Sequence, residues 1–197
     1  MGSVRLGIDG DLALALRDHF KLKYFVETGT WKGGTATWAA DHFERVFTIE
    51  GWQKRWLGLT ARLELAYPNI SFLFGDSRTK LAEVLAGFDE PVLLWLDAHW
   101  LGDSRIAHEQ KDECPIREEL QAVNAHPFAA NMVILIDDAR LFTAPPPYPH
   151  DPDQWPNIDE VIGLLSEYPR FIHIHEDVIY AIPASAKDWF RKQIGVS

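Results

Sequence analysis

The stretch Tyr24-Phe-Val-Glu-Thr-Gly-Thr-Trp-Lys-Gly-Gly-Thr35 decides the fold. Tyr24, Phe25 and Val26 are apolar and β-prone and read as a short buried strand. Glu27, Thr28 and Gly29 stand where that strand ends. Gly33 and Gly34 follow, and Thr35-Ala-Thr-Trp-Ala-Ala40 reads as the first turns of a helix. Strand, glycine turn and helix in this order bring backbone N–H groups close to a nucleotide-like ligand. Gly29 allows the tight turn, and Gly33 lets the helix approach the strand. Such a turn by itself also has a purely structural reading, so its weight depends on the rest of the chain.

Working outward, residues 12–20 form an amphipathic helix with Leu12, Leu16 and Phe20 on one face. Downstream, a helix over 35–43 precedes a strand over 45–50. A helix over 52–67 is stopped by Pro68, and a strand over 70–74 ends at Gly75-Asp76-Ser77. After a helix over 79–88 comes the near-continuous apolar run 91–96, as a central parallel strand buried on both faces requires. It ends in Asp97-Ala-His99-Trp100. A polar segment covers 101–113. A helix over 116–123 starts behind Pro115, and a strand over 132–136 ends in Asp137-Asp138. A Pro-rich loop runs over 143–156, followed by a helix over 158–168. Runs 171–175 and 178–182 flank Glu176-Asp177 as an antiparallel hairpin, and a short helix over 185–193 closes the chain. Alternating strands and helices predict a doubly wound α/β sheet, mostly parallel, with right-handed crossovers and an antiparallel last strand. No internal repeat or linker divides it, so one domain is expected over 1–197.

Composition narrows the function. With 47% apolar residues in 197, the chain can bury a full core. No apolar run is long enough to cross a bilayer, and the N-terminus lacks the pattern of a secretory signal. Cys114 is the single cysteine, so no intrachain disulfide forms. These features favour a cytoplasmic protein without a membrane partner. The formal net charge of −10 argues against a nucleic-acid surface and suits a small or cationic ligand, or simply solubility.

In an open parallel sheet, ligands sit beyond the carboxyl ends of the strands. The acids that end successive strands gather there: Glu27, Glu50, Asp76, Asp97 and the pair Asp137 and Asp138, with His99 beside them. Any one of them also reads as a polar strand terminus, but the full set on one rim points to a site. Glu50 stands about 20 residues after the glycine turn, where an acid accepts hydrogen bonds from a ribose.

With these residues in view, the chain resembles a class I S-adenosylmethionine-dependent methyltransferase over about residues 24–182. Glu27-x-Gly29-x-x-x-Gly33 resembles that family's cofactor loop, Glu50 its ribose acid, and Gly75-Asp76-Ser77 its adenine-contacting segment. The stretch 26–34 is especially similar to the macrocin-type, metal-dependent sugar O-methyltransferases. The resemblance implies a seven-stranded Rossmann-like methyltransferase sheet. It also implies a cofactor site built from Glu27, Thr28, Gly29, Thr30, Gly33, Glu50, Gly51, Trp52, Asp76, Ser77 and Asp97. Asp97, Asp137 and Asp138 match the family's ligands for a divalent metal such as Mg²⁺.

Oxygen ligands of this kind suit Mg²⁺, which would bind acceptor oxygens and lower a hydroxyl pKa. In the alternative, Asp137 caps its strand and Asp138 bonds the next turn. His99 has three readings: general base, metal ligand or structural residue. His108 and Cys114 flank the same segment, and one cysteine does not make a structural zinc site. His173 and His175 share a strand face and read as structural, away from the rim. Among eight tryptophans, Trp31 and Trp52 lie beside cofactor residues, Trp100 follows His99, and Trp38 and Trp56 read as helix packing. Arg140 reads as an anion-binding group or as the partner of a nearby acid. The implied activity is O-methylation of a small-molecule acceptor, with His99 and Asp97 at the chemistry and a homodimer as one way to close the site. A metal-independent enzyme and a non-catalytic binding domain are the rival readings.

Overall fold

The computed structural model describes residues 7–99, 113–144, 148 and 150–196. In chain order, the elements are α1 (Gly10–Phe20), β1 (Tyr24–Thr28), α2 (Gly34–Ala40), β2 (Arg45–Glu50) and α3 (Gln53–Leu63). Next come β3 (Ile70–Phe74), α4 (Ser77–Leu85), β4 (Leu93–Leu96), α5 (Ile116–Asn124), β5 (Val133–Ile136) and α6 (Ala139–Thr143). The chain ends with α7 (Ile158–Leu165), β6 (Arg170–His175), β7 (Val178–Pro183) and α8 (Lys187–Gln193). The strands make one seven-stranded sheet in the order β3-β2-β1-β4-β5-β7-β6. β1 to β5 pair in parallel, and β7 is antiparallel to both β5 and β6. The predicted doubly wound sheet with its antiparallel last strand is the observed one.

Side-chain alternation divides the core. On β4, Leu93 and Trp95 pack with α1, α2 and α8, whereas Leu94 and Leu96 pack with α4, α5 and α7. β5 divides the same way, with Val133 and Leu135 opposite Ile134 and Ile136. Both strands are buried on both faces, which is why they lack polar alternation.

Several element ends differ from the sequence reading. α2 stops at Ala40, because Asp41 and His42 leave the helix and Phe43 folds back into the core. α3 ends at Leu63, since Tyr67 precedes Pro68 and is steered away from helical backbone. α6 was not anticipated: five residues are too few to show a helical period. The expected segment 101–113, with Trp100 and His108, lies almost wholly outside the described residues.

Candidate active site

The glycine turn is built by backbone contact. Gly29 has φ 83°, and a Cβ there would sit 2.1 Å from the Asp97 carbonyl oxygen. Only glycine fits where the β1 turn meets the end of β4. Gly33 also has positive φ, but its missing side chain makes room for Leu59 and Leu63 of α3. It therefore serves packing between helices and not, as expected, the approach of helix to strand. Between them, Trp31 is held at φ 48°, a left-handed conformation unusual for a bulky residue. Its N–H donates to Glu50 Oε2 at 3.0 Å, and the Trp52 N–H donates to Glu50 Oε1 at 2.9 Å. Glu50 thus ties the turn after β1 to the turn after β2, with Arg55 3.5 Å from Oε1. Gly51 occupies that second turn, and Trp52 precedes the first turn of α3 with Arg55 over its ring.

Period-two alternation sends Glu27 and Thr28 to opposite faces of β1. Glu27 is buried and accepts a hydrogen bond from Thr48 Oγ1, which is also 2.6 Å from Thr30 Oγ1. Burial pushes its pKa up to about 8, helped by the fields of Asp97 and Glu50. On the other face, Glu119 of α5 reaches Thr28 and Ser77. It is almost fully buried, its Oε1 has no partner among the described residues, and burial raises its pKa to about 7.

At the ends of β4 and β5, Asp97, His99 and Asp138 come together, with one ligand atom from each within 4.8 Å of the others. His99 Nε2 lies 2.6 Å from Asp138 Oδ2 and 3.6 Å from Asp97 Oδ1. Asp137 stands just outside this group, and its Oδ1 accepts the Asp138 N–H at 2.8 Å. Burial, and then the neighbouring acids, raise Asp97 to about 7 and Asp137 to about 6. Burial by itself would lower the His99 pKa, but Asp138 and Asp97 outweigh it and raise it. Burial would raise Asp138, but His99 and Arg140 outweigh it and hold it low. Arg140 Nη1 lies 2.5 Å from Asp138 Oδ1. Trp155 packs edge-on against His99, with ring centroids 5.5 Å apart. Its Nε1–H donates to Glu113 Oε2 at 2.8 Å, fastening the chain before α5 to residues 151–155.

Some expected residues have partners of their own within the chain. Asp76 accepts from the N–H of Arg78 and from its guanidinium, so its carboxylate caps α4 and pairs locally. Ser77 begins α4 and is buried against Glu119. His173 stacks on Phe171 and His175 on His173 along β6. However, β6 runs parallel to β5, so it delivers His175 and the following turn to the same rim rather than away from it. There Asp177 bonds α6.

Two contributors were missed. Glu119 was legible: Ile116, Glu119, Leu120 and Val123 form one helical stripe, so an acid sits at a core position. Asp177 carried no signal, because its contact with α6 spans 37 residues and depends on the sheet order.

The sequence matches no family model and no curated protein. Solved structures do match. A candidate caffeoyl-CoA O-methyltransferase of Staphylococcus aureus aligns over 91% of this chain and 85% of its own, at 13% identity and a TM-score of 0.60. An O-methyltransferase of Bacillus cereus, solved with S-adenosylhomocysteine, aligns over 90% and 82% at 16% identity and a TM-score of 0.55. The O-methyltransferase of tomaymycin synthesis from Streptomyces achromogenes, solved with S-adenosylmethionine, aligns over 91% and 81% at 16% identity and a TM-score of 0.55. These likenesses establish architecture: the chain has the Rossmann-like fold of S-adenosylmethionine-dependent O-methyltransferases.

Proposed function

We propose that this chain transfers the methyl group of S-adenosylmethionine to a hydroxyl of a small molecule. The observation that carries this reading is Glu50. Its carboxylate joins the two turns that would flank a ribose and keeps further lone pairs for ribose hydroxyls. Supporting it, Glu27, Asp97, Glu119 and Asp137 are carboxyls that burial has pushed up to about 6–8. A cation brought among such carboxyls would favour their ionised form, and the sulfonium cofactor is a cation.

The cofactor supplies an already electrophilic methyl group. The chain's own work is then to align the acceptor and remove its proton. Asp97, Asp138 and His99 would hold a divalent cation, which would lower the pKa of the acceptor hydroxyl. The imidazole in this donor set widens the choice from Mg²⁺ to Mn²⁺ and its neighbours. The likeness of residues 26–34 to the macrocin-type enzymes supports a sugar-like acceptor, with phenols and other natural products as further candidates. The same proposal places the protein in the cytoplasm, with no nucleic-acid or membrane partner and a homodimer as the assembly that would close the site. The net charge of −10 opposes a phosphate backbone.

A second reading is favoured by the His99–Asp138 contact. Asp138 orients the imidazole, so His99 acts as the base without a metal. Calorimetric titration with S-adenosylhomocysteine, with and without Mg²⁺ or Mn²⁺, tests both. Micromolar binding supports the cofactor site, and a separate heat with metal supports the metal-assisted form. Turnover that persists in excess chelator selects the second reading. No binding under any condition removes the methyltransferase proposal.

A further inference from the structure

The hairpin turn between β6 and β7 reaches the start of α6, next to Asp138. Glu176 and Asp177 have φ of 47° and 72°, a two-residue turn with both residues left-handed. Glycine or asparagine is usual there, and non-glycine residues cost energy in this conformation. The Asp177 carbonyl accepts the Ala139 N–H at 2.8 Å, and its Oδ1 accepts the Arg140 N–H at 2.8 Å. Its other oxygen pairs with the Arg140 guanidinium, which also holds Asp138 Oδ1.

Asp138 precedes α6, where an aspartate ordinarily turns its carboxylate back to cap the first helical N–H groups. Here it makes no such bond: Asp177 accepts the Ala139 and Arg140 N–H groups, and the Leu141 N–H donates to the Asp138 carbonyl. Asp138, left-handed at φ 55°, points its carboxylate at His99 and Arg140 instead. We propose that Asp177 is a positioning residue: by capping α6 from the hairpin turn, it frees Asp138 to hold His99. The consequence for metal binding rests on the function proposed above, but the positioning itself does not.

Two substitutions separate the effects. Asp177→Gly keeps the left-handed turn but removes the cap. Asp177→Asn tolerates the turn and retains an oxygen for the Arg140 N–H. The readout is the imidazole nitrogen resonances of His99 in metal-free protein, assigned by their loss in His99→Gln, together with Mn²⁺ affinity. Asp177→Gly is expected to move the His99 signals toward those of Asp138→Ala and to weaken Mn²⁺ binding about tenfold. Asp177→Asn keeps the cap but loses the guanidinium pair, and is expected to leave the His99 signals and Mn²⁺ affinity closer to wild type than Asp177→Gly does. His99 signals unchanged in Asp177→Gly overturn the proposal, whether or not Asp138→Ala moves them. If the wild type binds no Mn²⁺, the metal-assisted function fails, and a shift of His99 in Asp177→Gly still upholds the positioning role.

Discussion

Gly29 and Asp97 meet backbone to backbone: a Cβ at Gly29 would lie 2.1 Å from the Asp97 carbonyl oxygen. The Gly29 N–H donates to the Ile49 carbonyl, and the Asp97 N–H to the Thr28 carbonyl, at 2.9 and 3.1 Å. One residue therefore sets the distance between the turn after β1, the rim of β2 and the acid cluster at the end of β4. The cofactor half and the acceptor half of the proposed site are joined there.

Gly29→Ala is expected to destabilise the protein by about 2–4 kcal/mol, since a positive φ and a backbone overlap have no rotamer to relieve them. Gly34→Ala is the control. It starts α2, has open space around it, and is expected to stabilise by about 0.5–1 kcal/mol. Urea unfolding of the two variants checks the contrast, and equal midpoints would contradict the close approach.

Glu50→Gln replaces an acceptor oxygen with an amide that faces a backbone N–H. One of the bonds to Trp31 or Trp52 must break. The expected outcome is a fold stability loss of about 1–2 kcal/mol and S-adenosylhomocysteine affinity at least tenfold weaker. A variant that binds as tightly as the wild type would separate Glu50 from the ribose role.

The legible parts of this fold are those with a local period. β2 and β3 have the bounds that their apolar runs predict, Arg45–Glu50 and Ile70–Phe74. The rim acids were visible because strand ends face one edge in a doubly wound sheet. Which acids would touch was not visible. Asp138 reaches His99 only because a left-handed backbone and a cap from Asp177 turn it, and Asp76 is taken by Arg78 two residues away. Both outcomes depend on rotamers and partners that spacing does not encode.

The buried acids give a pH dependence with a definite sign. Glu27 has a folded pKa of about 8 against an ordinary 4.5, with burial as the first cause. Between those values the folded state holds a proton that the unfolded state has lost. Stability is therefore greatest below about pH 4.5 for this group and falls as pH rises through 8, approaching about 1.4 kcal/mol per pH unit. Asp97 and Glu119, at about 7, act in the same direction. Glu27→Gln keeps an oxygen for Thr48 and is expected to flatten the slope of unfolding free energy between pH 5 and 8. Parallel slopes for variant and wild type would show that Glu27 is ionised throughout.

The metal prediction separates the two neighbouring aspartates. The resemblance read from the sequence implies Asp97, Asp137 and Asp138 around the ion, whereas the donors that converge are Asp97, His99 and Asp138. Asp137→Asn retains an oxygen for the Asp138 N–H and is expected to weaken Mn²⁺ binding by less than tenfold. Asp138→Ala and His99→Ala remove donors and are expected to weaken it by about 10–100-fold or more. Saturating metal should also raise the unfolding free energy, by about 2.7 kcal/mol at a hundred times its Kd, and a chelator should reverse the gain. Titrations of the three variants decide the ligand set. Equal losses in Asp137→Asn and Asp138→Ala would bring Asp137 into the first ring of ligands, and Mn²⁺ affinity kept by His99→Ala would leave the imidazole to act on the acceptor proton.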